Sequence, residues 1–365
     1  MTKSPPFIKG QKDNSVKKWV QKELLPELLA KPQLQEKQLT LLSLFCGPGG
    51  LDQGFKDANF LTELAFDIDQ EAVNTFRANH LASRAYVRDI TQLSLNELDN
   101  LYGGIFSPDG VIGGPPCQSF SFSNVHQSDD DPRHKLPESY AALLKRLNER
   151  HPLSFFLFEN VLGLLGKKHK YKYELFKKLF QEAGFTIYEQ TLDAKNYGVP
   201  QERPRIFIVG INYRKHPNKK WVPPQPENVV KTVRETIGNL PEPVYFKKGL
   251  NPDEFPIHPN HWCLVPKSDK FKSGNLKEGQ MIGRSFRTLW WDKPSWTVAY
   301  GHREVHVHPN GHRRLSIYEA MLLQTFPENY RLTGTLSAQI RLVSEAVPVI
   351  LAWRIAQSIR ESLGI

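Results

Sequence analysis

From residue 39 onward, short apolar runs alternate with longer amphipathic segments, and this alternation limits the folds open to the chain. Five apolar runs end in glycines or acids: LTLLSLFCGPGG, LTELAFDID, AYVRDI, PDGVIGGPPC and LSFFLFENV. Segments such as YAALLKRLNER and YELFKKLFQEAG between them have helical spacing. Strands that are apolar on both faces are typical of parallel sheets covered by helices. The pattern therefore predicts an α/β fold with a doubly wound, mostly parallel sheet, whose ligands lie at the carboxyl ends of the strands.

Changes in composition divide the chain into four parts. Residues 1–38 form a charged, amphipathic N-terminal extension, interrupted at Pro26, to which the sequence assigns no role. Residues 39–211 form the α/β domain, which the strand RIFIVGI completes. Residues 212–312 hold 12 of the 27 prolines and predict a smaller, loop-rich domain. Helical text returns in residues 313–365, and we expect the last helix to pack back on the α/β domain.

The charge of the chain favours a polyanionic partner. Lys and Arg number 48 against 38 Asp and Glu, which gives a net charge of +10. Residues 212–312 hold 16 basic and 9 acidic residues, so +7 of that charge lies there, interleaved with Trp262, Phe271, Phe286, Trp290, Trp291 and Trp296. Basic and aromatic groups together suit a nucleic acid, and the alternative is a small aromatic core with a solvated basic rim.

Cysteine usage and hydropathy indicate the compartment. The three cysteines, Cys46, Cys117 and Cys263, are widely spaced, which suits neither a disulfide framework nor a metal cluster. His261, Cys263, His302, His306 and His308 also match no compact zinc site, so we expect no metal. No stretch approaches the about 20 apolar residues of a membrane span, and the first residues lack a signal-peptide core. The protein is expected to be soluble and cytoplasmic.

A glycine loop and two acids at strand ends predict a nucleoside site. Gly47, Gly49 and Gly50 follow the first strand, where backbone must approach a ligand closely. Asp67, twenty residues after Gly47, ends the second apolar run and is placed to accept ribose hydroxyls. Asp89 ends the third run and would receive an adenine amine. The same features would suit a nicotinamide oxidoreductase, so they leave the reaction open.

Cys117 is the candidate nucleophile. In GVIGGPPCQSFS it lies just past a strand, behind two prolines, at the edge where a doubly wound sheet binds ligands. A polar segment, QSFSFSNVHQSDDDPRHK, follows it and resembles a mobile lid. The alternative is a structural cysteine. A free thiol has a pKa of about 8.5, so attack at neutral pH needs cationic or dipolar help and an activated substrate.

Glu159, Arg203 and Arg205 are candidate partners of that nucleophile. Glu159, in the strand FFLFENV, would share the edge with Cys117 and could hydrogen-bond or protonate nitrogen 3 of a pyrimidine. Arg203 and Arg205 alternate at the start of RIFIVGI and can present planar forks to an oxygen of the base and to a carboxylate. The alternatives are a helix cap or ion pair for the glutamate and a surface ladder of charge for the arginines.

In this order the motifs resemble those of the DNA cytosine-5 methyltransferases, from Leu39 to the C-terminus. FCGPGG is similar to the family's cofactor loop, GGPPCQSFS to its nucleophile motif, ENV to its glutamate motif, QERPRIFIVG to its arginine motif and RRLSIYEAMLLQTFP to its helical scaffold motif. The resemblance implies a Rossmann-like fold dependent on S-adenosylmethionine, which leaves as S-adenosylhomocysteine. It implies double-stranded DNA as the partner, and a monomer with no obligate protein partner.

The resemblance also implies roles for individual residues. Cys117 would attack carbon 6 of a cytosine flipped out of the duplex, with Glu159 at nitrogen 3 and Arg203 and Arg205 around the base. The residues implied at the cofactor are Phe45, Gly47, Gly49, Gly50, Asp67, Ile68, Asp89, Ile90 and Pro116. Those expected at the DNA are Gln118, Ser121, Arg133, Arg284, Arg287, Thr297 and Arg303, the last four within a recognition segment near residues 260–303 in the loop-rich target-recognition domain. Thr297 and Val298 resemble a threonine plus aliphatic pair found there.

Two departures and three rival functions accompany this hypothesis. Pro48 stands where many members have alanine, and Glu345, in SEAVPV, stands where the family usually has asparagine, which affects the expected affinity for the cofactor. The rivals are an RNA cytosine-5 methyltransferase, a non-catalytic DNA-binding relative and the nicotinamide oxidoreductase. The short, single recognition segment resembles bacterial modification enzymes of restriction systems, which favours a role in protecting host DNA.

Overall fold

A seven-stranded sheet forms the centre of the α/β part. The computed structural model describes residues 37–116, 135–283, 285–297 and 305–365. Its strands are β1 Leu39–Leu44, β2 Phe60–Asp67, β3 Arg84–Val87, β4 Gly110–Gly113, β5 Phe155–Val161, β6 Phe185–Asp193, β7 Gln201–Glu202, β8 Pro204–Asn212, β9 Val244–Tyr245, β10 Trp262–Cys263, β11 Met281–Ile282, β12 Phe286–Arg287 and β13 Ser295–Trp296. Its α-helices are α1 Gly50–Asp57, α2 Gln70–Asn79, α3 Leu95–Tyr102, α4 Leu136–Arg150, α5 Lys170–Glu182, α6 Val233–Ile237, α7 Asp269–Lys272, α8 Ile317–Leu323, α9 Leu336–Glu345 and α10 Val349–Leu363.

The strand directions confirm the predicted doubly wound, mostly parallel sheet. Strands β1 to β5 pair in parallel, whereas β8 runs antiparallel to both β5 and β6. The strand order is β3-β2-β1-β4-β5-β8-β6, and it reverses between β1 and β4, where Leu44 pairs with Gly113. Ligands of open α/β sheets bind outside the carboxyl ends of the strands at such a reversal. The loops after β1 and β4, which contain the glycine and Pro-Pro-Cys motifs, therefore begin at the position that favours a ligand.

Helices cover both faces of the sheet because its strands are apolar on both sides. Alternate residues of β1 divide between two cores: Leu42 and Leu44 pack with residues of α3, α4 and α5, whereas Leu39 and Leu41 pack with residues of α1 and α10. Both cores consist of side chains that are almost fully buried. The apolar face of α2, with Val73 and Phe76, packs against Ala65 of β2 and Ala85 of β3. The result is a three-layer α/β/α arrangement.

The C-terminal helix α10 lies directly against α1. A side chain on Gly54 of α1 would come within 2.5 Å of Ala352 Cβ, so the two helices approach closely only because this residue is glycine. The segment Leu336–Leu363 is apolar and long enough to cross a membrane by length and composition alone. However, 67% of its apolar window is buried within the protein, and α9 ends before Pro348, which precedes α10. These features are typical of core helices.

The part between β8 and α8 consists mainly of loops and two-residue strands. Its side chains share a core with α8 and α9 in which Trp262, Leu289 and Val305 are buried. A buried ion pair anchors the start of α8: the Arg313 guanidinium donates to both oxygens of Glu319, each at 2.9 Å. The Glu319 carboxylate also accepts from the Ser316 amide, which completes a capping box. Spatial contacts join Gln38–Ile365 into one unit, and the domain boundaries inside it stay a prediction.

Candidate active site

The glycine loop after β1 has a backbone that few residues tolerate. Phe45, Gly47 and Gly49 have φ angles of +56°, +54° and +90°, in the left-handed region that glycine adopts readily and phenylalanine rarely does. At Gly49 space is also limited, because a Cβ atom would lie 2.5 Å from His80 Nε2 and 2.6 Å from the Tyr330 hydroxyl. At Gly47 a Cβ would meet nothing within 4 Å among the described residues, so this part of the loop borders open space.

Asp67 joins this loop to the end of β2. Its Oδ2 accepts the Gly47 amide at 2.9 Å, and its Oδ1 accepts the Asp69 amide at 2.9 Å. Burial is the main cause that raises the pKa of Asp67, and the amides of Asp69, Gly47 and Ile68 oppose it by stabilising the carboxylate. A carboxylate has about four acceptor positions, so these three amides leave room for a hydroxyl donor beyond the loop.

The next two strand ends continue this edge. Ile68 directly follows β2 and is 72% exposed, which leaves an apolar surface beside Asp67. Asp89, after β3, uses its Oδ1 to accept the amide and the hydroxyl of Thr91, both at 2.9 Å. Ile90 instead lies in the hydrophobic core, only 3% exposed. The structure thus brings Gly47, Asp67, Ile68 and Asp89 to one edge, a combination of carboxylates and apolar surface that suits a nucleoside.

Glu159 and Arg205 form a nearly buried ion pair beside the loop after β4. Arg205 Nε lies 3.1 Å from Glu159 Oε1, and the two side chains are 14% and 12% exposed. A Cβ on Gly114 would lie 2.7 Å from Glu159 Oε2, so the carboxyl group packs against the backbone three residues before position 117. Burial raises the pKa of Glu159, and the positive charges of Arg205 and Arg203 oppose that rise. The carboxyl group can therefore keep or donate a proton at a higher pH than an exposed glutamate.

Asn160 holds the loop after β4, a role that the sequence patterns did not single out. Its buried amide donates to the Pro115 carbonyl at 3.4 Å, and its Oδ1 accepts the Val161 amide at 2.9 Å. Pro115 is buried and Pro116 is exposed. The sequence feature that could have indicated this role is the position of Asn160, directly after Glu159 near the end of a strand.

Arg203 contacts a different part of the chain from Arg205. Its guanidinium donates to the carbonyls of Ser344 and Glu345, at 3.1 and 3.4 Å, and the residue is 2% exposed. Its own amide donates to Asp193 Oδ1 at 2.8 Å. Of the two predicted arginines, Arg205 contacts the Glu159 carboxylate, whereas Arg203 fixes the turn between α9 and α10.

The model of the C-5 cytosine-specific DNA methylase family matches residues 39–361. The chain belongs to this family. The prediction of a DNA cytosine-5 methyltransferase is confirmed, and the nicotinamide oxidoreductase was a wrong alternative, because the match includes the glycine loop on which it rested.

Relatives of this C-5 cytosine methylase cover nearly the whole chain. It is 33% identical to the type II methyltransferase M.FnuDI of Fusobacterium nucleatum, over 89% of this chain and 95% of the relative. It is also 33% identical to the type II methyltransferase M.MthTI of Methanothermobacter thermautotrophicus, over 89% and 98%. A solved structure from an E. coli prophage, described as a DNA modification methyltransferase, superposes with a TM-score of 0.74 at 24% identity, over 90% of this chain and all 100% of that one. This last likeness concerns the fold.

Several predicted residues of the methylase lie outside the described residues. They are the nucleophile Cys117 and the predicted DNA contacts Gln118, Ser121, Arg133, Arg284 and Arg303, together with Val298. Their roles stay predictions that rest on the motifs.

Within the predicted recognition segment, Thr297 lies against the arginine motif. Strand β13 pairs in parallel with β7, and the Thr297 hydroxyl donates to the Glu202 carbonyl at 2.7 Å. The Thr297 carbonyl in turn accepts a hydrogen bond from His306 Nε2 at 2.9 Å. Arg287 is half-buried close to His306, and its positive charge helps to lower the pKa of that imidazole, although burial is the main cause. These contacts join the segment to the backbone beside Arg203.

A buried pair, His80 and Tyr330, holds the glycine loop after β1, and the sequence patterns did not single this pair out. The Tyr330 hydroxyl donates to the Pro48 carbonyl, and His80 Nε2 lies 3.1 Å from the same hydroxyl. Burial lowers the pKa of His80 to about 4, so the imidazole is neutral at physiological pH. Tyr330 follows the scaffold motif, which was the available signal. The pair explains why position 49 has no room for a side chain.

Proposed function

We propose that the protein is an S-adenosylmethionine-dependent, sequence-specific modification methyltransferase that methylates carbon 5 of a cytosine in double-stranded DNA. The relatives named above are type II methyltransferases, which supports a role in protecting host DNA within a restriction-modification system. The observation that carries the proposal is the buried Glu159–Arg205 pair, packed against the loop that leads to Cys117 and on the same sheet edge as the nucleoside-type site. A monomer in the cytoplasm is part of the proposal.

The residues at the edge of β1, β2 and β3 fit S-adenosylmethionine. Asp67 would accept the ribose hydroxyls, Asp89 the adenine amine, and exposed Ile68 would contact a face of the ring. The open space at Gly47 allows the ligand to approach the backbone. The cofactor supplies an electrophilic methyl group when it is bound.

Glu159 and Cys117 would act together on the cytosine. The Cys117 thiolate forms a bond to carbon 6 as the π bond between carbons 5 and 6 breaks. That electron pair delocalises over carbon 5, carbon 4 and nitrogen 3, where the proton held by Glu159 stabilises it. Carbon 5 then carries the nucleophilic electrons and gains the methyl group. Loss of the carbon-5 proton to solvent and cleavage of the sulfur–carbon bond regenerate the aromatic ring and the thiolate. The raised pKa of Glu159 supports this role, because the group must be protonated near neutrality.

The loop-rich part supplies the grip on the duplex. Rotation of a base out of the stack costs a few kcal/mol, which contacts to the strand and to the pocket offset. Residues 212–312 hold +7 of the formal charge, enough for several phosphate contacts. The hydrogen bond from the Thr297 hydroxyl to the Glu202 carbonyl would hold this segment in a fixed position relative to the catalytic edge.

Transfer of a labelled methyl group tests the proposal. Purified protein would be incubated with tritiated S-adenosylmethionine and unmethylated duplex DNA, followed by nucleoside analysis and bisulfite sequencing. We expect label in 5-methylcytosine at one short sequence, and none with Cys117→Ser, which should still bind DNA because the thiol is no phosphate contact. Normal turnover by Cys117→Ser would refute the covalent mechanism.

Matched substrates separate the remaining rivals. Label in transfer RNA but not in duplex DNA would favour the RNA methyltransferase. Folded protein that binds DNA and transfers no label to either polymer would favour the non-catalytic relative.

A further inference from the structure

Glu345, which departs from the family pattern, lies at the predicted cofactor edge. It is the last residue of α9, and its carbonyl accepts the Arg203 guanidinium at 3.4 Å, which fixes the turn that follows. Arg341, one helical turn earlier, contacts two carboxylates. Its Nη1 lies 3.6 Å from Glu345 Oε2 and forms an ion pair with Asp69 Oδ2. Asp69 follows β2 two residues after Asp67. The turn after α9 and the end of β2 therefore meet at this edge.

Carboxylates outnumber cations among the groups that act on Glu345. The charges of Asp67 and Asp69 act on it from the end of β2, and Arg341, which also pairs with Asp69, lies beside it on α9. The side chain of Glu345 is 48% exposed, so it is accessible from the open side of the edge. With these groups and the Arg203 guanidinium on the Glu345 carbonyl ionised, three negative charges stand against two positive charges, a formal charge of −1. An environment of this kind favours a ligand with positive charge.

We propose that Glu345 is a specificity-determining residue whose carboxylate makes the protein bind cationic S-adenosylmethionine more tightly than its neutral product, S-adenosylhomocysteine. The inference rests on the proposed function, in which both molecules occupy this edge. The two ligands share the adenosine and amino-acid parts and differ in the sulfur, which is a charged sulfonium in one and a neutral thioether in the other. A nearby negative charge stabilises only the first, and the neutral asparagine usual in the family lacks this effect.

The protonation of Glu345 makes this preference depend on pH. Partial removal from solvent, and then the charges of Asp67 and Asp69, raise the pKa of Glu345 to about 7, whereas Arg341 opposes the rise. The carboxyl group gains its negative charge as the pH increases through neutrality. The preference for the sulfonium should therefore grow over the same range.

Calorimetric titration of the full chain with each ligand, without DNA, tests the inference. The measured quantity is the ratio of the two dissociation constants, product over donor, at about pH 6 and about pH 8 on either side of the Glu345 transition. In the wild type we expect the ratio to rise by about threefold to tenfold between these conditions, as for unit charges several ångströms apart in a partly aqueous environment. Glu345→Gln and Glu345→Asn should both lower the ratio at the higher pH and remove most of its pH dependence.

The control variant is Glu149→Gln, which removes an exposed carboxylate from α4 in a weak pair with Lys145 and should leave the ratio and its pH dependence unchanged. Because the amino group of the ligand also titrates, the comparison is between variants at each pH. An unchanged ratio in both Glu345 variants, with both ligands bound, would overturn the inference and leave the proposed function intact. Wild-type protein that binds neither ligand would overturn both.

Discussion

Replacement of Arg205 by methionine would leave the Glu159 carboxyl group buried without its nearest cation. The pair is separated by 3.1 Å, and both side chains are more than four-fifths buried. Methionine fills a similar volume but carries no charge, so Arg205→Met removes the ion pair with little loss of packing. The burial that already raises the pKa of Glu159 would then be opposed by the positive charge of Arg203 without that of Arg205.

The expected loss of stability follows from the geometry. Removal of one partner from a buried ion pair typically costs about 3–5 kcal/mol of stability. Because about one-eighth of each side chain is still exposed, we expect a loss at the lower end, about 3 kcal/mol. For a chain of this size, about 2 °C of Tm corresponds to 1 kcal/mol, so the Tm should fall by about 6 °C near neutral pH.

The loss should depend on pH with a definite sign. Without Arg205, the folded-state pKa of Glu159 rises further above its unfolded value, so the folded state binds the proton more tightly than the unfolded chain does. The deficit relative to wild type should be small below the unfolded pKa and should grow as the pH rises toward the folded pKa. Thermal unfolding followed by circular dichroism at about pH 5 and about pH 8 would measure this difference.

A double variant provides the decisive comparison. Glu159→Gln/Arg205→Met removes both charges of the pair and should recover at least half of the Tm lost in Arg205→Met alone. Neither variant is expected to transfer methyl groups, so the comparison between them concerns stability alone. Equal Tm values for the single and double variants, or a deficit of Arg205→Met that is the same at both pH values, would refute the reasoning.

Three further predictions concern the cofactor loop, the recognition segment and the grip on DNA. Tyr330→Phe removes the hydrogen bond to Pro48 and should weaken S-adenosylmethionine binding in a titration by about fivefold, corresponding to about 1 kcal/mol, whereas Tyr318→Phe should have little effect. Thr297→Val removes the bond to Glu202 and should raise the KM for DNA about fivefold with unchanged cofactor affinity, and an equal change in both would contradict the assigned role. DNA affinity should fall steeply with salt, with a log–log slope of magnitude about 5 or more if most of the +7 charge of residues 212–312 meets phosphates, and a flat response would exclude this segment as the grip.

Much of the fold and part of the site were readable because their signals are local in sequence. An apolar run that ends in glycines or an acid shows where a strand ends and which side chains stand at its carboxyl end, as for Gly47, Asp67 and Glu159. In a parallel sheet these ends share an edge, so the spacing predicted a common site for the glycine loop and the acids. The order of the motifs along the sequence also indicated the family to which the chain belongs.

Other relationships were decided only by tertiary structure. The sequence predicted the strand RIFIVGI, residues 205–211, but not that β8 runs antiparallel to its neighbours, because direction depends on the connection rather than on the residues. It treated Arg203 and Arg205 alike, although one contacts the turn after α9 and the other contacts Glu159. Alternation of side chains along a strand predicts which of them share a face. It does not predict which other segment of the chain each face will contact.

The most distant contacts complete the site. Tyr330 contacts Pro48 across 282 positions, and the charge of Asp67 acts on Glu345 across 278. No periodicity links residues so far apart, since patterns of two or 3.6 residues report only which side of an element is buried. The sequence by itself determined the strand ends, the motifs and the chemistry they carry. Packing of α8, α9 and α10 onto the sheet decided which charges and hydroxyls surround the cofactor loop, because that packing depends on the combined shape of surfaces contributed by segments that are hundreds of residues apart.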